Sequence, residues 1–85
     1  MKFNEVYMPG DVVWYVKLNT LTGNKELVCG HVRTIYATVL ILTDEEDNSS
    51  HVIDLSEADQ IFRDEKSARE FFNVTVITAK YGEKK

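Results

Sequence analysis

Between residues 11 and 55 the chain consists of short β-branched and aromatic runs broken by polar turns, and none of the breaks can hold a crossover helix. Parallel strands need a connection of about a dozen residues or more, so this stretch is restricted to neighbouring strands paired antiparallel. The first run, "DVVWYVKL" after Pro9-Gly10, sets Val12, Trp14, Val16 and Leu18 on one side and Val13, Tyr15 and Lys17 on the other. That is the period-two alternation of a strand. The polar "NTLTGNK", with Gly23-Asn24 suited to positive φ, predicts a hairpin that returns the chain as "ELVCGHVRTIYA". In this second strand Val28 and Val32 share a face with Gly30, while Ile35 falls out of phase. A bulge near Arg33-Thr34 is expected to turn Ile35 back toward the core.

The next run, "ATVLILTD", is almost wholly apolar and is expected to form a strand buried on both faces near the centre of the sheet. Residues 44–50, "DEEDNSS", predict a solvated turn. "HVIDL" then resumes alternation, with His51, Ile53 and Leu55 opposite Val52 and Asp54. Ser56 followed by Asp59 predicts a capped single turn in "SEADQIF", and Asp64 predicts the N-cap of a helix over roughly 64–73. On that helix Glu65 and Arg69 form an i,i+4 pair, and Ala68, Phe71 and Phe72 make one apolar stripe that docks it. "VTVITA" predicts a final strand over roughly 74–79, and residues 82–85 a disordered tail. Eighty-five residues suit a single domain, residues 1–85, around one modest core.

Gly30-His31-Val32-Arg33-Thr34-Ile35 has a G-x-V-x-x-I spacing that resembles KOW and related SH3-like (KOW/Tudor-type) barrels, and "PGDVVWYV" is similar to their first barrel strand. The stretch "HVIDLSEADQIFRDEKSAREFF" resembles small bacterial and phage proteins in which a barrel strand runs into Ile-Phe, a cap residue and a short helix with E-x-x-A, here Glu65 to Ala68. The resemblance covers residues 9 to 72. It implies a mainly β fold: a small SH3-like barrel of about five antiparallel strands with one short α-helix near the C-terminus. Barrels of the KOW kind often contact RNA or other proteins, so both are implied as partner classes. Fold analogy alone assigns no role.

Charge narrows the choice. The net charge is −4, but residues 1 to 43 carry four bases and three acids, residues 44 to 65 one base and nine acids, and residues 66 to 85 five bases and two acids. An acidic block at mid-chain repels phosphate, which sets nucleic acid behind a protein partner. A nucleic-acid module would have to rely on Lys17, Lys25, Arg33 and Tyr36. The expected partner surface for a protein joins the aromatics Trp14, Tyr15 and Tyr36 to the acidic turn Asp44, Glu45, Glu46 and Asp47, with Glu57 and Asp59 extending the negative patch. One of Trp14 and Tyr15 is expected outside the core, because alternation sends them to opposite faces.

Chemical centres are weaker readings. Cys29 and His31 share a strand face and, with His51, are the candidate zinc ligands, but a structural zinc site usually shows paired ligands on two turns. A cysteine nucleophile needs a base and an oxyanion pocket that so small a domain hardly provides. Asp44 as the first position of a calcium loop places Ser49 where glycine belongs and Leu55 where glutamate belongs. No metal, cofactor or enzymatic activity is therefore expected. A single cysteine, the lack of a signal-peptide pattern and the absence of a bilayer-length apolar run point to a cytoplasmic, non-enzymatic binding module. An exposed edge strand would also allow a homodimer.

Overall fold

Asn19 closes the first hairpin. In the computed structural model, which describes residues 1–77, β1 (Val12–Asn19) and β2 (Asn24–Ile35) pair antiparallel from Val12 opposite His31 to Asn19 opposite Asn24. The Asn19 Oδ1 accepts the N–H groups of Leu21 at 3.0 Å and Thr22 at 3.3 Å, and Gly23 at φ 79° completes the return. Such a side-chain bond to the backbone two residues on is what favours asparagine at turns. β3 (Val39–Asp44) and β4 (Ser50–Asp54) continue the meander. A 3-10 turn over Leu55–Gln60 then carries the chain to a two-residue β5 (Ile61–Phe62) on the far side of β1. The strand order is β4-β3-β2-β1-β5, all neighbours antiparallel.

The register of β2 against β3 shifts between Val32 and Thr34, so Arg33 bulges and Ile35 returns to the same face as Val32. Ile35 packs there against the core of Val13, Tyr15, Val28, Val32, Leu40, Leu42, Ile53 and Ile61. The expected bulge is thus present, and its cause is the phase of the apolar residues. Gly30 lies opposite Asp44 in this ladder, and a Cβ placed on it would run into the Thr43 carbonyl oxygen and come within 2.9 Å of the Leu42 side chain. β2 and β3 approach this closely only over a glycine.

α2 (Glu65–Val74) begins as expected, with the Asp64 carboxylate accepting the Ser67 N–H at 2.9 Å and Arg69 Nε donating to Glu65 Oε2 at 2.6 Å. It lies across the outer faces of β1, β2 and β5. Ala68 and Val16 are fully buried, and Phe71 meets Phe62 with ring centroids 5.3 Å apart. Lys25 fastens the other end: its ammonium donates to the carbonyls of Phe72 and, at 2.7 Å, Thr75, and stands 4.7 Å over the Phe72 ring. A cation at a helix C-terminus satisfies the last carbonyls and opposes the negative end of the helix dipole.

Several expectations are corrected. β3 is an interior strand, as expected, beside the middle strand β2, but it is not buried on both faces. β3 is fully buried on one face only, through Leu40, Leu42 and Asp44, because α2 does not extend over its outer residues Val39 and Ile41. The turn after β4 is capped by Asp54, which accepts the Ser56 N–H at 3.0 Å, rather than by Ser56. The final strand expected over 74–79 does not form in its described part: Val74 closes α2, Thr75 caps it, and no pairing follows to residue 77. The remainder of that strand and the tail at 82–85 lie outside the described residues. A short helix that the sequence reading passed over, α1 (Phe3–Val6), closes one end of the core with Phe3 fully buried and Tyr7 nearly so. The Phe3 N–H donates to the Ala37 carbonyl at 2.9 Å. Arg63 stands over the Tyr7 ring and donates to the Val6 carbonyl and to Asp11.

Two substitutions test this packing by urea unfolding. Gly30→Ala is expected to cost about 1–3 kcal/mol, the usual penalty for overpacking. Phe3→Ala is expected to cost about 3–5 kcal/mol if α1 belongs to the core, as its burial requires, and near zero if it does not.

Candidate functional site

The β1–β2 register, fixed at the Asn19–Asn24 turn, sets Trp14 directly across from Cys29 and Val16 across from Leu27 on the outer face of the sheet. α2 covers Val16 completely and Trp14 only in part. Where the helix falls short, a groove of about 300 Å³ remains, bounded by Trp14, Glu26, Leu27 and Cys29 along the strands, Glu45 and Glu46 at its acidic edge, buried Asp44 beneath the turn and Arg69 on α2.

The acidic turn is built, not loose. The Asp44 N–H donates to the Ser49 carbonyl at 2.8 Å, and the Asn48 N–H donates to the Asp44 carbonyl at 2.9 Å, with Asn48 at φ 61°. The Asp44 Oδ1 accepts the Glu46 N–H at 2.8 Å, and its Oδ2 lies 3.2 Å from His51 Nε2. Glu45 donates its N–H to the Cys29 carbonyl, and its carboxylate lies 2.6 Å from His31 Nδ1. The hydroxyl and N–H of Ser49 both donate to Asp47 Oδ1 and hold that carboxyl below its ordinary range. Glu45, Glu46 and Asp47 are thereby presented outward on a fixed frame.

The residues expected to form the partner surface therefore divide. Trp14, Glu45 and Glu46 come together around the groove. Tyr15 and Asp44 do not belong to a surface: both point to the interior side of the sheet and are 4% and 7% exposed. For Tyr15 the cause is alternation, which sends its neighbour Trp14 outward. For Asp44 it is the place directly across from Gly30, beside inward-facing His51. Tyr36 is exposed at the end of β2 but does not line the groove. Glu57 accepts a short hydrogen bond from the Tyr15 hydroxyl, so it belongs to the interior network.

Cys29 and His31 do share the outer face, yet His51 faces inward opposite Leu42, and the three do not converge. Among the described residues no three His, Cys, Asp or Glu side chains are grouped to hold a metal ion. Burial first, then the charges of Glu45, Glu65 and Asp44, push the Cys29 thiol up from its ordinary value. A nucleophilic cysteine requires the opposite shift, toward thiolate. The basic set fares no better as a phosphate site, because Lys25 is already engaged at the end of α2.

Sequence reasoning missed Glu26, Leu27 and Arg69 as groove residues. Leu27 was within reach, since placing Asn19 across from Asn24 carries Trp14 to Cys29 and Val16 to Leu27, whereas the same register sets Glu26 across from Lys17. Arg69 was visible only as the partner of Glu65. Among the described residues no helix is long and apolar enough to cross a membrane. Compared with family models, curated proteins and solved structures, the chain matches none.

The buried phenol gives a pH test. Burial, and then the hydrogen bond and charge of Glu57, raise Tyr15 well above its ordinary value of 10.0. The folded protein keeps this proton at pH values where the unfolded chain has released it, so the stability it brings is whole below pH 10.0 and declines above it. The midpoint of urea unfolding is expected to fall as pH rises past about 10, and Tyr15→Phe to flatten that fall.

Proposed function

We propose that this chain is a small non-enzymatic binding module of SH3-like barrel form, working in the cytoplasm, whose outer groove and acidic turn contact a basic surface on another protein. The observation that carries the reading is the meeting of the half-buried indole of Trp14 with Glu45 and Glu46 of the acidic turn around one groove. An aromatic anchor beside ordered charges is the usual composition of an interface centre and its steering rim. The barrel form is supported by the return of β5 alongside β1 after a 3-10 turn, with a single core between the strands. A protein partner is favoured over nucleic acid because the groove is acidic and Lys25 is occupied within the fold.

Affinity capture from the native host, comparing wild type with Glu45→Lys/Glu46→Lys, tests this. Both residues are exposed, so the double variant is expected to keep its circular dichroism and urea midpoint. The expected outcome is a stoichiometric protein bound by wild type and lost with the reversed charges. Nuclease-sensitive material in place of protein, captured more strongly by the double-lysine variant, overturns the reading.

A further inference from the structure

The groove already holds a guanidinium from its own chain at its rim. Arg69, projecting from α2, is the one cation among the described residues that line it, against the carboxylates of Glu45 and Glu46 on the turn; Asp44 lies beneath with its carboxylate turned inward. Its Nε is bonded to Glu65 Oε2 on the helix, which ties the head group to α2 rather than to the turn. The Trp14 indole and the Cys29 thiol supply the less polar wall. Burial is the main cause of the raised Cys29 thiol, and the charges of Glu45, Glu65 and Asp44 add to it; that negative field favours a positive charge entering beside it.

We propose that the groove receives one arginine side chain from a basic segment of the partner protein, its guanidinium lying against the Trp14 indole and directed at the carboxylates of Glu45 and Glu46. This rests on the binding-module reading and names what that module recognises. Size is one argument: about 300 Å³ is at the lower limit for small-molecule sites and suits a single long side chain. Chemistry is the other. A planar, weakly hydrated fork stacks on an aromatic face and meets carboxylates with several donors, whereas an ammonium is a compact and strongly hydrated point charge. Arg69 then acts as a like-charged neighbour at the rim, so that its removal favours the incoming guanidinium.

Trp14 is the only tryptophan, and its emission therefore reports on the groove directly. The test titrates the full chain with three blocked tripeptides, Gly-X-Gly, in which X is arginine, lysine or citrulline, the last matching arginine in shape without its charge. The expected result is a saturable change in Trp14 emission with the arginine peptide, a weaker response with lysine and none with citrulline. Glu45→Gln/Glu46→Gln is expected to weaken the arginine response about two- to thirtyfold, the range for loss of two exposed charge pairs, and Arg69→Ala to strengthen it. No saturable response to arginine in either wild type or Arg69→Ala overturns the inference, as does an equal response to citrulline. If the arginine peptide fails while Glu45→Lys/Glu46→Lys still abolishes capture of a protein partner, the arginine assignment falls and the binding reading stands. If capture is also unaffected, both fall.

Discussion

The whole arrangement depends on β1 being packed from two sides. Val13 and Tyr15 enter the core between the strands, while Val16, on the other face and equally buried, is covered by α2 with Ala68. One strand thus belongs to two apolar layers, and it pairs with β2 on one edge and β5 on the other. Each fully buried aliphatic side chain is worth about 1.5–3 kcal/mol relative to exposure, so a domain of this size gains much by using both faces of a central strand. The groove is what the second layer leaves over. A ten-residue helix reaches about 15 Å, enough to cover Val16 and meet Phe62, and too little to enclose Trp14.

Polar groups on the interior face set the shape of the acidic turn. Asp44 is buried, and its two oxygens engage the Glu46 N–H on one side and His51 on the other. Buried carboxylates persist in folded proteins when such partners are supplied. The consequence is carried outward, because the backbone held by Asp44 is the backbone that presents Glu45 and Glu46. Tyr15 has the same character: its ring fills the core, lies 6.3 Å from the His51 ring, and directs its hydroxyl to Glu57 on the 3-10 turn. Interior polar contacts thus join three consecutive features of the chain, namely the hairpin tip, β4 and the turn after it.

Where residues signal through their neighbours, the sequence was readable. The alternation of β1, the Gly23 turn, the phase break that places a bulge at Arg33, the Asp64 cap and the Glu65–Arg69 pair all follow from local chemistry, and the mainly β antiparallel class with a C-terminal helix follows from them. Elements defined by distant contacts were not readable. A four-residue α1 has no periodicity to detect, and Phe3 reveals its role only once the Ala37 carbonyl is beside it. β5 is two residues within a segment that reads as a turn, and it exists because Trp14 and Tyr15 offer it an edge. The β-branched run from Val74 is a converse case: local preference favours a strand there, yet Val74 completes the helix whose last carbonyls Lys25 holds. At the site, alternation separated Trp14 from Tyr15 without saying which lay outside, and the acidic run did not distinguish buried Asp44 from exposed Glu45.

One outer edge of the sheet is β4, five residues long, with Val52 two-thirds exposed on its face. Unpaired edges are templates for another strand, and proteins guard them by shortness and charge. Here the guard is placed at both ends, with Glu45, Glu46 and Asp47 just before the strand and Asp54 at its close. Two copies approaching edge to edge in antiparallel register would bring the acidic tip of one beside the Asp54 end of the other, at both ends of the seam. The turn that holds these exposed carboxylates thereby discourages the molecule from adding a strand of its own kind and growing into a continuous sheet.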